Sequence, residues 1–78
     1  MSMKTYKSLA KLANAIASGE IPSDVVSPGH AAALLGVTRQ AINDRIHRSK
    51  SLEAWGAEGT VLISMRSIEK ALQKKESN

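Results

Sequence analysis

Apolar residues along this chain come in short groups whose spacing switches from helical to extended and back. Leu9, Leu12, Ala13 and Ile16 recur at i, i+3, i+4 and i+7, which lays one stripe along a helix predicted over 4–18. Lys4, Lys7, Lys11 and Asn14 fall largely off that stripe, and Gly19 suits the residue just past a helix C-terminus. Pro22 ends the helix, so 21–24 reads as a linker. Val25 and Val26 are β-branched and predict a very short strand.

The next segment is the most constrained. Ser27 is a good N-cap and Pro28 a good first helical residue, predicting a short helix to Leu35. Gly36 stands where the backbone leaves that helix left-handed, and Thr38 caps a second helix that runs to Arg48. Ala32 is small enough for the two helices to cross closely. Leu35, Val37, Ile42 and Ile46 supply inward contacts, the two isoleucines being four apart on one face. Residues 52–55 and 60–63, around the turn Gly56-Ala57-Glu58-Gly59, read as a β-hairpin. Ser64 caps a closing helix over 64–75, with Ile68, Ala71 and Leu72 at helical spacing. The expected architecture is mostly α with a small β-hairpin wing: helix, short strand, helix-turn-helix over 27–48, hairpin over 52–63, helix. That order makes a winged helix-turn-helix.

At 78 residues, the chain is expected to be one domain near the size limit for folding on an apolar core alone. It contains no cysteine and no Phe, and Trp55 and Tyr6 are its only aromatics. Leu, Ile, Val and Ala must therefore build the core, which suits thin, closely packed helices. The absence of disulfides fits a cytoplasmic setting. No apolar run approaches the roughly 20 residues of a membrane span, and the N-terminal lysines interrupt any signal-peptide block. Eleven Lys+Arg against seven Asp+Glu give a net charge of +4 and a pI near 9.8, a balance that favours a polyanionic partner.

With Ile42 and Ile46 inward, the helix after Thr38 turns Gln40, Asn43, Asp44, His47 and Arg48 outward and starts on Arg39. Gln40 or Asn43 can pair bidentately with adenine, and Arg39 with guanine or a phosphate. Arg45, Arg48 and Lys50 have the chemistry to neutralise phosphates. Arg45 lies nearer the buried face, where its stem packs while its head reaches out. Asp44 either accepts from a cytosine amino group or offsets a neighbouring Arg. The expected contact set is Thr38, Arg39, Gln40, Asn43, Asp44, Arg45, His47, Arg48 and Lys50. Between Arg39 and Lys50 there are four basic residues and one acid. The hairpin is different, because Glu53 and Glu58 are acidic and nothing basic lies between Ser51 and Met65. Trp55 is expected to pack on the small sheet.

From Val25 to Leu72 the chain resembles the excisionase-type winged helix-turn-helix family, a relative of the MerR-type DNA-binding domain. The stretch from Val25 through Ala31-Ala32-Ala33-Leu34-Leu35-Gly36-Val37-Thr38 to Ile42 is similar to that family's strand, capped helix and turn. The segment Leu52–Leu72 is similar to its wing and closing helix. The resemblance implies a non-enzymatic bacterial or phage protein that binds DNA, as a transcription regulator or a recombination architectural factor. Three departures stand out. Ser49-Lys50-Ser51 replaces the glycine usual after the reading helix, the wing is acidic, and there is an additional N-terminal helix.

Double-stranded DNA is thus the expected partner, with no cofactor, metal, membrane or small-molecule substrate. A homodimer would address half-sites a helical turn apart. The stripe Leu9, Leu12, Ile16 would serve such a dimer or intramolecular packing, and packing is the expectation. The rival function is a protein-interaction module on the same fold, using the acidic wing and Trp55. An enzyme is disfavoured by the absence of a nucleophile–base pair, a Gly-rich phosphate loop or a ligand cluster. His30 and His47 are the only histidines and fall on different helices. Single-stranded RNA binding needs stacking aromatics that the chain lacks.

Overall fold

The computed structural model describes residues 3–49 and 51–76. Its elements run β1 (Met3–Thr5), α1 (Leu9–Ala17), β2 (Val25–Val26), α2 (Pro28–Leu35), α3 (Arg39–His47), β3 (Ala54–Ala57), β4 (Thr60–Ser64) and α4 (Met65–Glu76). The fold is mixed α/β. Among the described residues, four helices surround a four-stranded mixed sheet of order β1-β3-β4-β2. None of these helices is long and apolar enough to cross a membrane.

The sheet is larger than a hairpin wing because the chain supplies two further strands to its edges. Val25 and Val26 pair antiparallel with Ser64 and Ile63 of β4. The other edge corrects the sequence expectation of a helix over 4–18. Met3, Lys4 and Thr5 pair in parallel with Ala54, Trp55 and Gly56, and the Tyr6 N–H donates to the Gly56 carbonyl at 2.8 Å. The strand is specified by a partner about fifty positions away, which a local hydrophobic period does not reveal. The helix begins only after Ser8, whose hydroxyl accepts from the Lys11 N–H.

The face of α1 also differs from expectation. Leu12 and Ala15 are buried and Ile16 is half-buried, whereas Ala13 is exposed and Leu9 is 46% exposed. The helix turns small Ala15 toward the sheet, beside Leu12, Ile21, Trp55 and Ala57 in one apolar cluster. Ile21, within the expected linker, is 1% exposed. Its N–H reaches back to the Ala15 carbonyl after Gly19 turns left-handed at φ 86°.

Alternation along the strands divides the core in two. Trp55, Ala57, Leu62 and Val25 belong to the α1 layer, with Tyr6 at its margin. Ala54, Val61, Ile63, Val26 and Met3 belong to the opposite layer, where they meet Ala31, Ala32, Leu35, Ile42, Ile46, Leu52 and Ile68 from α2, α3, α4 and the segment leading into β3. Each fully buried Ile or Leu in these layers contributes about 1.5–3 kcal/mol. Trp55 is 7% exposed, so it packs, as its place on a small sheet suggests.

The hairpin turn is tighter than the four residues expected. Ala57 pairs with Thr60, which leaves Glu58 and Gly59 as the turn, with φ of 47° and 82°. Two consecutive positive φ values match the hairpin turns that follow strand twist. Gly56 is therefore a strand residue, opposite Val61. It is glycine for packing: a Cβ there would lie 3.0 Å from the Thr60 carbonyl oxygen and 3.1 Å from Met3 Cε. Ser64 ends β4 and starts α4, its hydroxyl accepting from the Ser67 N–H at 3.3 Å. The Ser67 hydroxyl accepts in turn from the Glu53 N–H at 3.2 Å.

Beside the α1 layer, the Tyr6 hydroxyl donates to Glu20 Oε2 at 2.7 Å, and Lys4 Nζ lies 3.8 Å from the same carboxylate oxygen. The hydrogen bond to Glu20, then burial and the nearby negative charge, hold the Tyr6 phenol above its ordinary 10.0.

Gly56→Ala is expected to destabilise the protein by about 1–3 kcal/mol through overpacking, read as a lower urea midpoint at unchanged slope. Gly29→Ala, in α2 with open space around the new Cβ, is the matched control and should be neutral or stabilising by up to about 1 kcal/mol. Alkaline absorbance titration should place Tyr6 ionisation above 10.0, and Glu20→Ala should bring the midpoint down toward that value. Because the folded-state pKa is the raised one, any stability tied to the neutral phenol is present below the unfolded value. It is lost as pH rises through the folded one.

Candidate nucleic-acid interface

The surface of interest is α3, and its position is fixed from both ends. At its start, Thr38 is extended (φ −79°, ψ 163°) and Oγ1 accepts from the Ala41 N–H at 3.1 Å, satisfying one of the free donors of the first turn. Ahead of Thr38 the chain leaves α2 at Gly36, which is left-handed at φ 68°. The N–H groups of Gly36 and Val37 both return to the Ala32 carbonyl. Ser27 caps α2 in the same manner, accepting from the His30 N–H at 3.2 Å. Ala31, Ala32 and Leu35 are the buried residues of α2, and the two alanines let its partners come close.

At the other end the chain closes without a glycine. The Arg45 carbonyl accepts from the Ser51 N–H at 2.9 Å and from the Ser49 hydroxyl at 3.4 Å. The Ser49 and Ser51 hydroxyls lie 3.1 Å apart. Serine hydroxyls thus help occupy the carbonyls that a helix end leaves open. The chain then enters Leu52, which is fully buried.

Between these ends Ile42 and Ile46 are 0% and 1% exposed, and this pair decides which side of α3 is wet. Thr38, Arg39, Gln40, Asn43, Asp44, His47 and Arg48 are exposed, while Ala41 and Arg45 are half-buried. The expectation that Arg45 lies nearer the core matches its placement. Lys50 lies outside the described residues. Among the described residues, the side chains of Arg39, Gln40, Asn43, Asp44, His47 and Arg48 form no hydrogen bond or ion pair with another part of the protein, and the only ion pair is Lys4–Glu20. Arg39, Arg48 and Asp44 therefore face solvent along α3 with no intramolecular neutralisation among the described residues.

A shallow groove of about 310 Å³ runs beside this helix, lined by Pro28, Arg39, Gln40, Ile42, Asn43, Ile46 and Val61. Its polar wall is the first half of α3, and its apolar wall comes from the start of α2 and from β4. Pro28 and Val61 were not among the residues expected at the site. The alternation that sends Val61 and Ile63 to one face of β4 was the available clue, but it acquires meaning only once that face is known to meet α3.

The hairpin contributes differently from a basic wing. Both faces of β3 are covered, and all four of its residues are buried. At the tip, Glu58 Oε2 accepts from the Leu9 N–H at 3.0 Å, so this carboxylate supports the N-terminus of α1. Trp55, inside the α1 layer, offers no exposed anchor to a partner.

No family model, curated protein or solved structure matches the chain.

Because the Thr38 hydroxyl is the side-chain cap at the start of α3, Thr38→Ala should cost about 0.5–2 kcal/mol of stability, whereas Thr38→Ser should cost little. Thermal unfolding followed by circular dichroism distinguishes the two variants.

Proposed function

We propose that this protein binds double-stranded DNA with sequence preference, placing α3 in the major groove. In this reading α2, the turn at Gly36 and α3 constitute a helix-turn-helix, with β3–β4 and α4 completing a winged form of it. The observation that carries the proposal is the wet face of α3. Two arginines, Gln40, Asn43, Asp44 and His47 project from a backbone pinned by Ile42 and Ile46, and none has an intramolecular partner among the described residues. Groups of this kind suit the donor and acceptor pattern of base edges, and a helix is the element that the major groove admits.

The roles follow from position. Arg39, Gln40 and Asn43 occupy the first half of the helix, the part that meets base edges in this mode of docking, and they are the leading base readers. Arg48 and the head of Arg45 address phosphates, the contacts that set orientation and most of the salt-dependent affinity. His47 flanks the same face, and Thr38 holds the first turn at the groove entrance. The short, covered hairpin with Glu58 at its tip argues for contact centred on α3. A small regulator or architectural DNA-binding protein of the cytoplasm fits this reading, and the chain needs no cofactor for it.

Binding of a fluorescent random-duplex pool, measured by anisotropy across a salt series, tests the proposal. Affinity should fall steeply with salt. Arg39→Ala and Arg48→Ala should each weaken binding and each flatten the log–log salt slope by about one unit if the arginine holds a phosphate. If both variants keep the parent affinity and slope, α3 is not the DNA-facing element.

A further inference from the structure

Ile42 and Ile46 are buried, and Asp44 stands two residues from each, roughly 200° around the helix from both. Gln40 and Arg48 stand four residues to either side of it. These three side chains therefore form a ridge along the side of α3 opposite its buried pair. The ridge is acceptor-capable, anionic, then cationic. An aspartate at its centre is costly for a DNA-binding surface, because every phosphate nearby repels it. An i, i+4 pair with Arg48, or contact with Arg45, would neutralise that charge, but neither occurs: the only ion pair among the described residues is Lys4–Glu20.

A free carboxylate only accepts hydrogen bonds. In the major groove, guanine presents two acceptors and thymine an acceptor and a methyl group, so both oppose it. Adenine offers its amino group beside the N7 acceptor, which repels the second carboxylate oxygen. Cytosine offers its N4 amino group with no adjacent acceptor on its own edge.

Building on the DNA-reading assignment of α3, we infer that Asp44 is a specificity-determining residue, selecting a cytosine through its N4 amino group at one base pair of the target. Gln40, one turn earlier on the same ridge, reads a neighbouring pair. Asp44 then works chiefly by exclusion. It lowers affinity for every duplex in which the base facing it is guanine or thymine, whose own edges lack a donor, and its charge is compensated where a cytosine donor meets it.

The test is selection of bound duplexes from a randomised library by the parent protein, Asp44→Asn and Asp44→Ala, followed by affinity measurement on the selected site with each base pair in turn. Asp44 is exposed and without side-chain partners, so both variants are expected to fold, which circular dichroism verifies. The parent should prefer cytosine at one position by roughly 5- to 100-fold. Asp44→Asn should move that preference toward adenine, since an amide both accepts and donates. Asp44→Ala should erase it while strengthening binding to unrelated duplexes. Variants that bind all duplexes more tightly with every base preference unchanged would overturn the inference and leave DNA binding by α3 intact. A parent protein that binds no duplex at low salt would overturn both.

Discussion

The pairing of β3 with β4 is the constraint on which the remaining structure depends. Once Trp55 opposes Leu62 and Ala54 opposes Ile63, alternate side chains go to opposite faces, and each face needs its own helical layer. Trp55 and Leu62 call for α1. Ala54 and Ile63 call for α2, α3 and α4. A hairpin alone would leave one face wet. Here α1 covers one face and α2, α3 and α4 the other, while Met3–Thr5 and Val25–Val26 cover the two edges and Glu58 binds the first turn of α1. The register is well specified, since a slip by one residue would exchange Trp55 with Gly56 across the sheet.

The same constraint fixes what α3 presents. Ile42 and Ile46 share their cluster with Ile63, Ile68, Leu52 and the alanines of α2, so the rotation of α3 about its own axis is set by the core. Its outward side chains are then determined by helical geometry and need no contacts of their own. A hydrophobic layer built on β4 thus orients polar groups on the far side of a helix.

Much of this was legible because its causes are local. Ser27, Thr38 and Gly36 act within their own turns, through a hydroxyl to a backbone N–H three residues on or through a left-handed backbone. The Ile42–Ile46 spacing needs one helix and one buried side to be interpreted. From these alone the wet face of α3 follows residue by residue, Arg45 included. What was hidden is non-local. Met3–Thr5 carries no strand pattern of its own, and Lys4 falls with Lys7 and Lys11 off the apolar stripe of the helix that follows. The rotation of α1 is set by the cluster that Leu12 and Ala15 share with Trp55 and Ala57 of β3, about forty positions away. Gly56 resembles a turn residue because its reason, closeness to Met3 and the Thr60 carbonyl, appears only after folding. Val61 and Pro28 join the groove for the same kind of reason.

The contrast between the two sides of α3 bears on how such a surface discriminates. Its backbone is capped, packed and tied by Arg45 to the following segment, so in the proposed DNA-binding role docking would incur little further backbone ordering. The long side chains on the wet face are free, and immobilising each costs up to about 1.5–2 kcal/mol. A surface of this kind does not gain affinity merely by approaching a duplex, because every ordered Arg or Gln must recover its own entropy from a well-made hydrogen bond. Correct base edges return that cost and incorrect ones do not. Rigid backbone with unpaired side chains is therefore a source of specificity in its own right, and it requires the small, alanine-lined core that brings α2 and α3 together.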